Sequence, residues 1–134
     1  YNVDNISNAG YPCEVKEYQI LGIAKAINHG IADAKKGGFD AVVTLANDIR
    51  MPNDWLGYMV AHAKLIPETG MCGIHTVEGL EAPEHYNGFL IHRSFTAFGN
   101  VLIPMKAINA VGYFNEDYDP YGMQDGDFAY RLNK

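Results

Sequence analysis

No stretch of the 134-residue chain stays apolar long enough to cross a bilayer, and Tyr1 opens neither a charged leader nor a signal-peptide core. Any membrane association is therefore expected to come from sequence outside these residues. Cysteine is scarce. Cys13 and Cys72 stand apart without metal-type spacing, which fits a reducing compartment better than a disulfide framework, so a cytoplasmic location is expected. Basic residues are also few: 10 Lys and Arg against 16 Asp and Glu give a net charge of −6. Scattered as they are, they form no stripe that could track a phosphate backbone, and nucleic acid is not expected as a partner. There is no internal repeat and no low-complexity segment. What is present, 48% hydrophobic and 19% charged residues, describes one globular domain with enough apolar material for a core.

The stretch from Asp40 to Leu56 organises the rest. Ala41, Val42, Val43, Thr44 and Leu45 form a short, β-branched apolar run of the kind expected for a strand buried on both faces, near the middle of a sheet. Asn47 and Asp48 follow directly at its carboxyl end, where open α/β sheets gather their ligands. Asn53 or Asp54 is then placed to cap a helix whose apolar positions are Trp55, Leu56, Met59, Val60 and Ala63. Two readings of Asn47-Asp48 stand side by side. One is a polar turn that closes the strand; the other is a site for a divalent metal and a nucleotide, since a carboxylate at such an exit can share magnesium or manganese with phosphates.

In chain order, Tyr1 to Asn8 reads as the end of a strand entering a polar turn, and residues 9 to 19 as a connection. Ile23, Ile27, Gly30, Ile31 and Ala34 mark one face of a helix ended by Gly37-Gly38. The first half thus alternates strand and helix as parallel α/β sheets do. Gly70 to Val77 is expected as a strand, Glu78 to Asn87 as a loop, and Gly88 to Phe98 as a further strand or two. Gly99 to Pro104 reads as a strand ended by proline, and Met105 to Val111 as a short helix closed by Gly112. An aromatic, acidic loop from Tyr113 to Gly122 leads to a last helix from about Gln124 to Leu132.

That helix begins with two carboxylates, Asp125 and Asp127. Capping and compensation of the helix dipole explain them structurally. Asp127 and Arg131 are four apart and are expected to pair on one face. Asp125 is left freer, with the dipole expected to keep it ionised, and is the better candidate for a general base. Tyr113, Phe114, Tyr118 and Tyr121 fit either an acceptor-sugar surface or core packing. The spacings of His29, His62, His75, His85 and His92 match no metal signature.

Four blocks, in order across nearly the whole chain, resemble a glycosyltransferase family 2 domain of the GT-A, nucleotide-diphospho-sugar transferase type. Asp4-Asn-Ile-Ser7 resembles the turn after the family's second strand, and Gly22 to Ile31, with Asn28, its following helix. Leu45-Ala-Asn-Asp48, followed by Pro52 and Trp55-Leu56, resembles the Asp-X-Asp region. Val111-Gly-Tyr-Phe-Asn-Glu116 followed by Gln124-Asp125-Gly-Asp127 through Arg131 resembles the segment that delivers the base.

The resemblance implies a Rossmann-like sheet with flanking helices over residues 1–134, and a hexosyltransferase-like, inverting, metal-dependent transfer. The donor would be a nucleotide-diphospho-sugar, and the acceptor a glycan, a lipid-linked group or another hydroxyl. It implies donor contacts at Asp4, Asn28, Asn47 and Asp48, a manganese or magnesium ion on Asp48, and catalysis by Asp125.

Departures accompany it. Ala46 stands where many relatives carry the first acid of the motif, Gln124 where a glutamate often precedes the aspartate, and Ile27 where arginine is common, with Lys25 nearby. The family's first strand would precede Tyr1, so the sheet is expected to lack that neighbour and the domain to be partial. A non-catalytic GT-A-like binding or assembly module is the alternative. Nucleotidyl transfer is disfavoured, because it calls for a Gly-rich phosphate loop with a basic residue.

Overall fold

The computed structural model describes residues 22–46, 49–73, 83–86, 88–94, 99–120 and 122–134. In chain order these form α1 (Ile23–Lys36), β1 (Ala41–Thr44), α2 (Trp55–Leu65), β2 (Cys72–Gly73), β3 (Glu84–Tyr86), β4 (Phe89–Ile91), β5 (Val101–Pro104), α3 (Met105–Val111), a 3-10 turn (Glu116–Tyr118) and α4 (Gln124–Leu132). Helix and strand are mixed, as expected of an α/β chain.

Helix α1 turns Ala24, Asn28 and Ile31 inward, one face of a 3.6-residue period, and carries Lys35 and Lys36 in its last turn where the dipole favours them. It stops at the two glycines. Gly38 takes φ 72. Its N–H reaches the Lys35 carbonyl at 3.2 Å while that of Phe39 reaches Ala34 at 3.1 Å, the paired bonds of a Schellman ending.

The three-stranded sheet has the order β1-β5-β2, and both outer strands run antiparallel to β5. Two expectations are corrected here. The described strands pair antiparallel rather than in a parallel sheet, and the middle strand is β5, with β1 at the edge of the described sheet. Val101, Leu102, Ile103 and Pro104 are all buried, whereas Ala41 to Thr44 are half-buried and Leu45, beyond the strand, is exposed. The alternation along β5 explains why it must be apolar throughout. Val101 and Ile103 enter one cluster with Ala24 and Ile31 of α1, Ile108 of α3 and Phe128 of α4. Leu102 enters another with Met59 of α2 and Cys72. Helices thus cover both faces of one short sheet.

Strands β3 and β4 form a separate antiparallel hairpin around Gly88, at φ 85. Residues 84 to 86, expected in a loop, are therefore strand. Of the expected strand over Gly70–Val77 only Cys72–Gly73 forms one within the described residues; 74–77 lie outside them. Helix α2 begins at Trp55, directly after Asp54, but the expected side-chain cap is corrected: Asp54 sits at φ 59 and its side chain makes no capping bond. Helices α3 and α4 have the expected bounds, with Gly112 at φ 85 closing α3.

Candidate functional site

Strands β1 and β2 leave the sheet at the edge where β5 enters it. The backbone there is tied down: Thr44 Oγ1 donates to the Gly99 carbonyl at 2.8 Å, and the buried Asn100 accepts from the Ala46 N–H at 2.8 Å. Asn47 and Asp48, the expected nucleotide and metal residues, come next in the chain but lie outside the described residues, as does Asp4. Among the described residues no three His, Cys, Asp or Glu side chains converge to hold a metal ion.

Helix α1 packs on β1 and joins it through residues 37–40, so it runs antiparallel to the strand, with its first turn at the edge where β1 exits. That first turn is capped from far away. Asp119 Oδ1 accepts from the Ala24 N–H at 2.9 Å and Oδ2 from the Lys25 N–H at 3.2 Å. Gly22 itself has no side chain to offer. Helix α4 starts five residues after Asp119 and runs in the same sense as α1, since Leu132 at its far end lies against Gly70, which precedes β2 at its entry. The first turn of α4, and Asp125 with it, therefore belongs to the same end of the layer as the exit of β1.

Asp125 is half-buried, and its carboxylate makes no hydrogen bond or ion pair among the described residues. Burial pushes its carboxyl above the usual aspartate value. That shift runs against the direction in which the dipole at the start of the helix acts on a carboxylate. Asp127 does pair as expected, at 2.9 Å to Arg131. Arg131 also donates to the carbonyls of Val111 at 2.6 Å and Tyr113 at 2.9 Å, pinning the chain that leaves α3. Gln124 is buried and accepts from the Gly122 N–H at 2.9 Å.

Asn28 is 7% exposed. Its Nδ2 donates to the Phe114 carbonyl at 2.9 Å and to Glu116 Oε1 at 3.0 Å, and its Oδ1 accepts from the Phe114 N–H at 2.9 Å. Phe114 is buried and stacks on Phe128, with centroids 4.4 Å apart and planes 9° from parallel. Core packing is thus its role, while Tyr113 and Tyr118 stay exposed and Tyr121 lies outside the described residues. Sequence reasoning missed Glu116 and Asp119. The run of acids around them pointed to the region but not to either partner.

No helix among the described residues is long and apolar enough to cross a membrane. No protein-family model matches the chain, and neither the curated proteins nor the solved structures contain a match to it.

Proposed function

We propose that the chain is a GT-A-like glycosyltransferase domain that transfers a sugar, with inversion, from a nucleotide-diphospho-sugar to a hydroxyl acceptor. The observation that carries the reading is Asp125. It is a half-buried carboxylate without a hydrogen-bond partner among the described residues, at the start of a helix and with its proton affinity raised by burial. A base works best when its pKa lies nearer the working pH, and burial moves Asp125 in that direction. The acceptor oxygen forms a bond to the anomeric carbon and its proton passes to an Asp125 oxygen. The bond from that carbon to the diphosphate breaks, and its electron pair leaves with the nucleoside diphosphate.

Asp48 would hold a magnesium or manganese ion and, with Asp4 and Asn47, the donor nucleotide; such an ion offsets charge on the departing phosphate. A thermal-shift panel of UDP and GDP, each with and without manganese, tests the reading, because specific binding raises apparent stability by mass action. One nucleotide should raise the melting temperature only with manganese, and Asp48→Ala should abolish that manganese-dependent shift. Equal shifts with and without the metal in the parent protein would overturn it. Ala46, where the motif's first acid is missing, favours the second reading, a non-catalytic binding or assembly module. That module would bind nucleotide but release no diphosphate from UDP-glucose, UDP-N-acetylglucosamine or GDP-mannose.

A further inference from the structure

We infer that Asn28 is a positioning residue for Asp125 and not a contact to the donor, an inference that rests on the glycosyltransferase reading above. An amide side chain can donate two hydrogen bonds and accept two. Both Nδ2 donors of Asn28 are engaged, by Phe114 and Glu116, and one acceptor position of Oδ1 is filled by the Phe114 N–H. No donor remains for a phosphate oxygen, and only the second acceptor position of Oδ1 is left open. The residue is also almost fully enclosed.

What Asn28 holds leads directly to Asp125. By bonding both the N–H and the carbonyl of Phe114, it fixes that residue's backbone as a strand partner would. The Phe114 ring lies flat against Phe128, which sits three residues after Asp125 in α4. Residues three apart share a helical face, so a shift of Phe128 moves the Asp125 carboxylate with it. The other end of the strap is held through the same helix: Glu116 on Asn28, and Asp119 on the N–H groups of Ala24 and Lys25 one turn earlier. Arg131 holds Val111 and Tyr113 from the α4 side. Residues 111–119 are thus clamped between α1 and α4, and Asn28 is the buried centre of the clamp.

The test compares the parent protein with Asn28→Ala, Asn28→Asp and the double variant Asn28→Asp/Glu116→Gln, all below their melting temperatures. Three properties are read: the Asp125 carboxyl titration by carbon-13 NMR, binding of UDP with manganese by calorimetry, and turnover of UDP-glucose, UDP-N-acetylglucosamine and GDP-mannose. In Asn28→Ala the Asp125 titration should move down toward that of an ordinary aspartate. The kcat should fall about 10- to 100-fold, as misplacing a reacting group typically does, with donor KM and UDP affinity within about twofold of the parent. Asn28→Asp places a carboxylate against Glu116 and should act similarly. Adding Glu116→Gln supplies an amide donor to that carboxylate and should recover a large part of the loss, which keeps the test valid if Asn28→Ala fails to fold. An unmoved Asp125 titration, or a tenfold rise in donor KM with kcat intact, would overturn the inference. A parent protein that binds neither UDP nor GDP and consumes none of the three sugars would instead remove the glycosyltransferase reading. The Asp125 titration would then still decide whether Asn28 sets the position of that carboxylate.

Discussion

The carboxylate of Asp119 occupies the space that a β-carbon on Gly22 would need. It sits there because it accepts the Ala24 and Lys25 N–H groups at 2.9 and 3.2 Å, closing two of the orphan donors of α1 from more than ninety residues away. Gly22 permits the approach twice over, by lacking a side chain and by adopting φ 137.

Gly22→Ala should therefore lower stability by about 2–4 kcal/mol, combining backbone strain with loss of the cap. Asp119 could swing aside only by giving up both N–H groups. Asp119→Ala alone should cost about 1 kcal/mol, and Gly22→Ala should cost less in that background because the collision is gone. Urea unfolding of the four proteins reads this cycle; strictly additive losses would show that the two residues do not meet.

Arg131 joins α4 to the chain leaving α3 through a carboxylate and two backbone carbonyls, and its guanidinium lies 5.3 Å from the Phe128 ring centre. A lysine cannot reproduce that fork. Arg131→Lys should destabilise by about 1–3 kcal/mol, while Asp127→Asn, which keeps one acceptor for the arginine, should cost about 1 kcal/mol or less. Equal losses in the two variants, from denaturant midpoints, would contradict this ranking.

Asp125→Asn should reduce sugar transfer by roughly 10²-fold or more with little change in donor affinity, since size is kept and the proton acceptor is removed. Its effect on stability has the opposite sign. Burial raises the folded-state pKa of Asp125 above its unfolded value, so between the two the folded protein binds more protons than the unfolded chain. Stability from this group is fully present below the unfolded value and is lost as pH rises through the folded one. The asparagine variant should thus melt above the parent at pH 7, with the gap closing as pH falls below the ordinary aspartate range. Parallel melting profiles from pH 3 to 8 would count against a desolvated carboxyl. In the parent, transfer should fall on the acid side at a pH above that of an ordinary aspartate.

Cys72 is buried under Met59 and Leu102, and burial pushes its thiol up to about 11. Only the thiolate reacts quickly with alkylating agents. Iodoacetamide at pH 8 should leave Cys72 unmodified in the folded protein and label it in urea, as peptide mapping by mass spectrometry would reveal. Rapid native labelling would mean that the α2 side of the sheet opens readily.

The sequence by itself determined what depends on neighbours along the chain. The Gly37-Gly38 ending of α1, the closure of α3 at Gly112, the extent of α4 and the Asp127–Arg131 pair were all legible, because helix periodicity, a positive-φ glycine and four-residue spacing act within a turn or two. Which strand lies in the middle was not. Ala41–Leu45 and Val101–Pro104 are both short apolar runs, and only the strands and helices folded against each decide that the second is covered on both faces. The same division runs through the candidate site. Sequence singled out Asp125 and Asn28, but the partners of Asn28 lie 86 and 88 residues away, and the upward shift of the Asp125 carboxyl comes from burial. Hydrogen-bond partners across the chain and the exclusion of water are properties of the packed molecule, so tertiary structure alone assigned them.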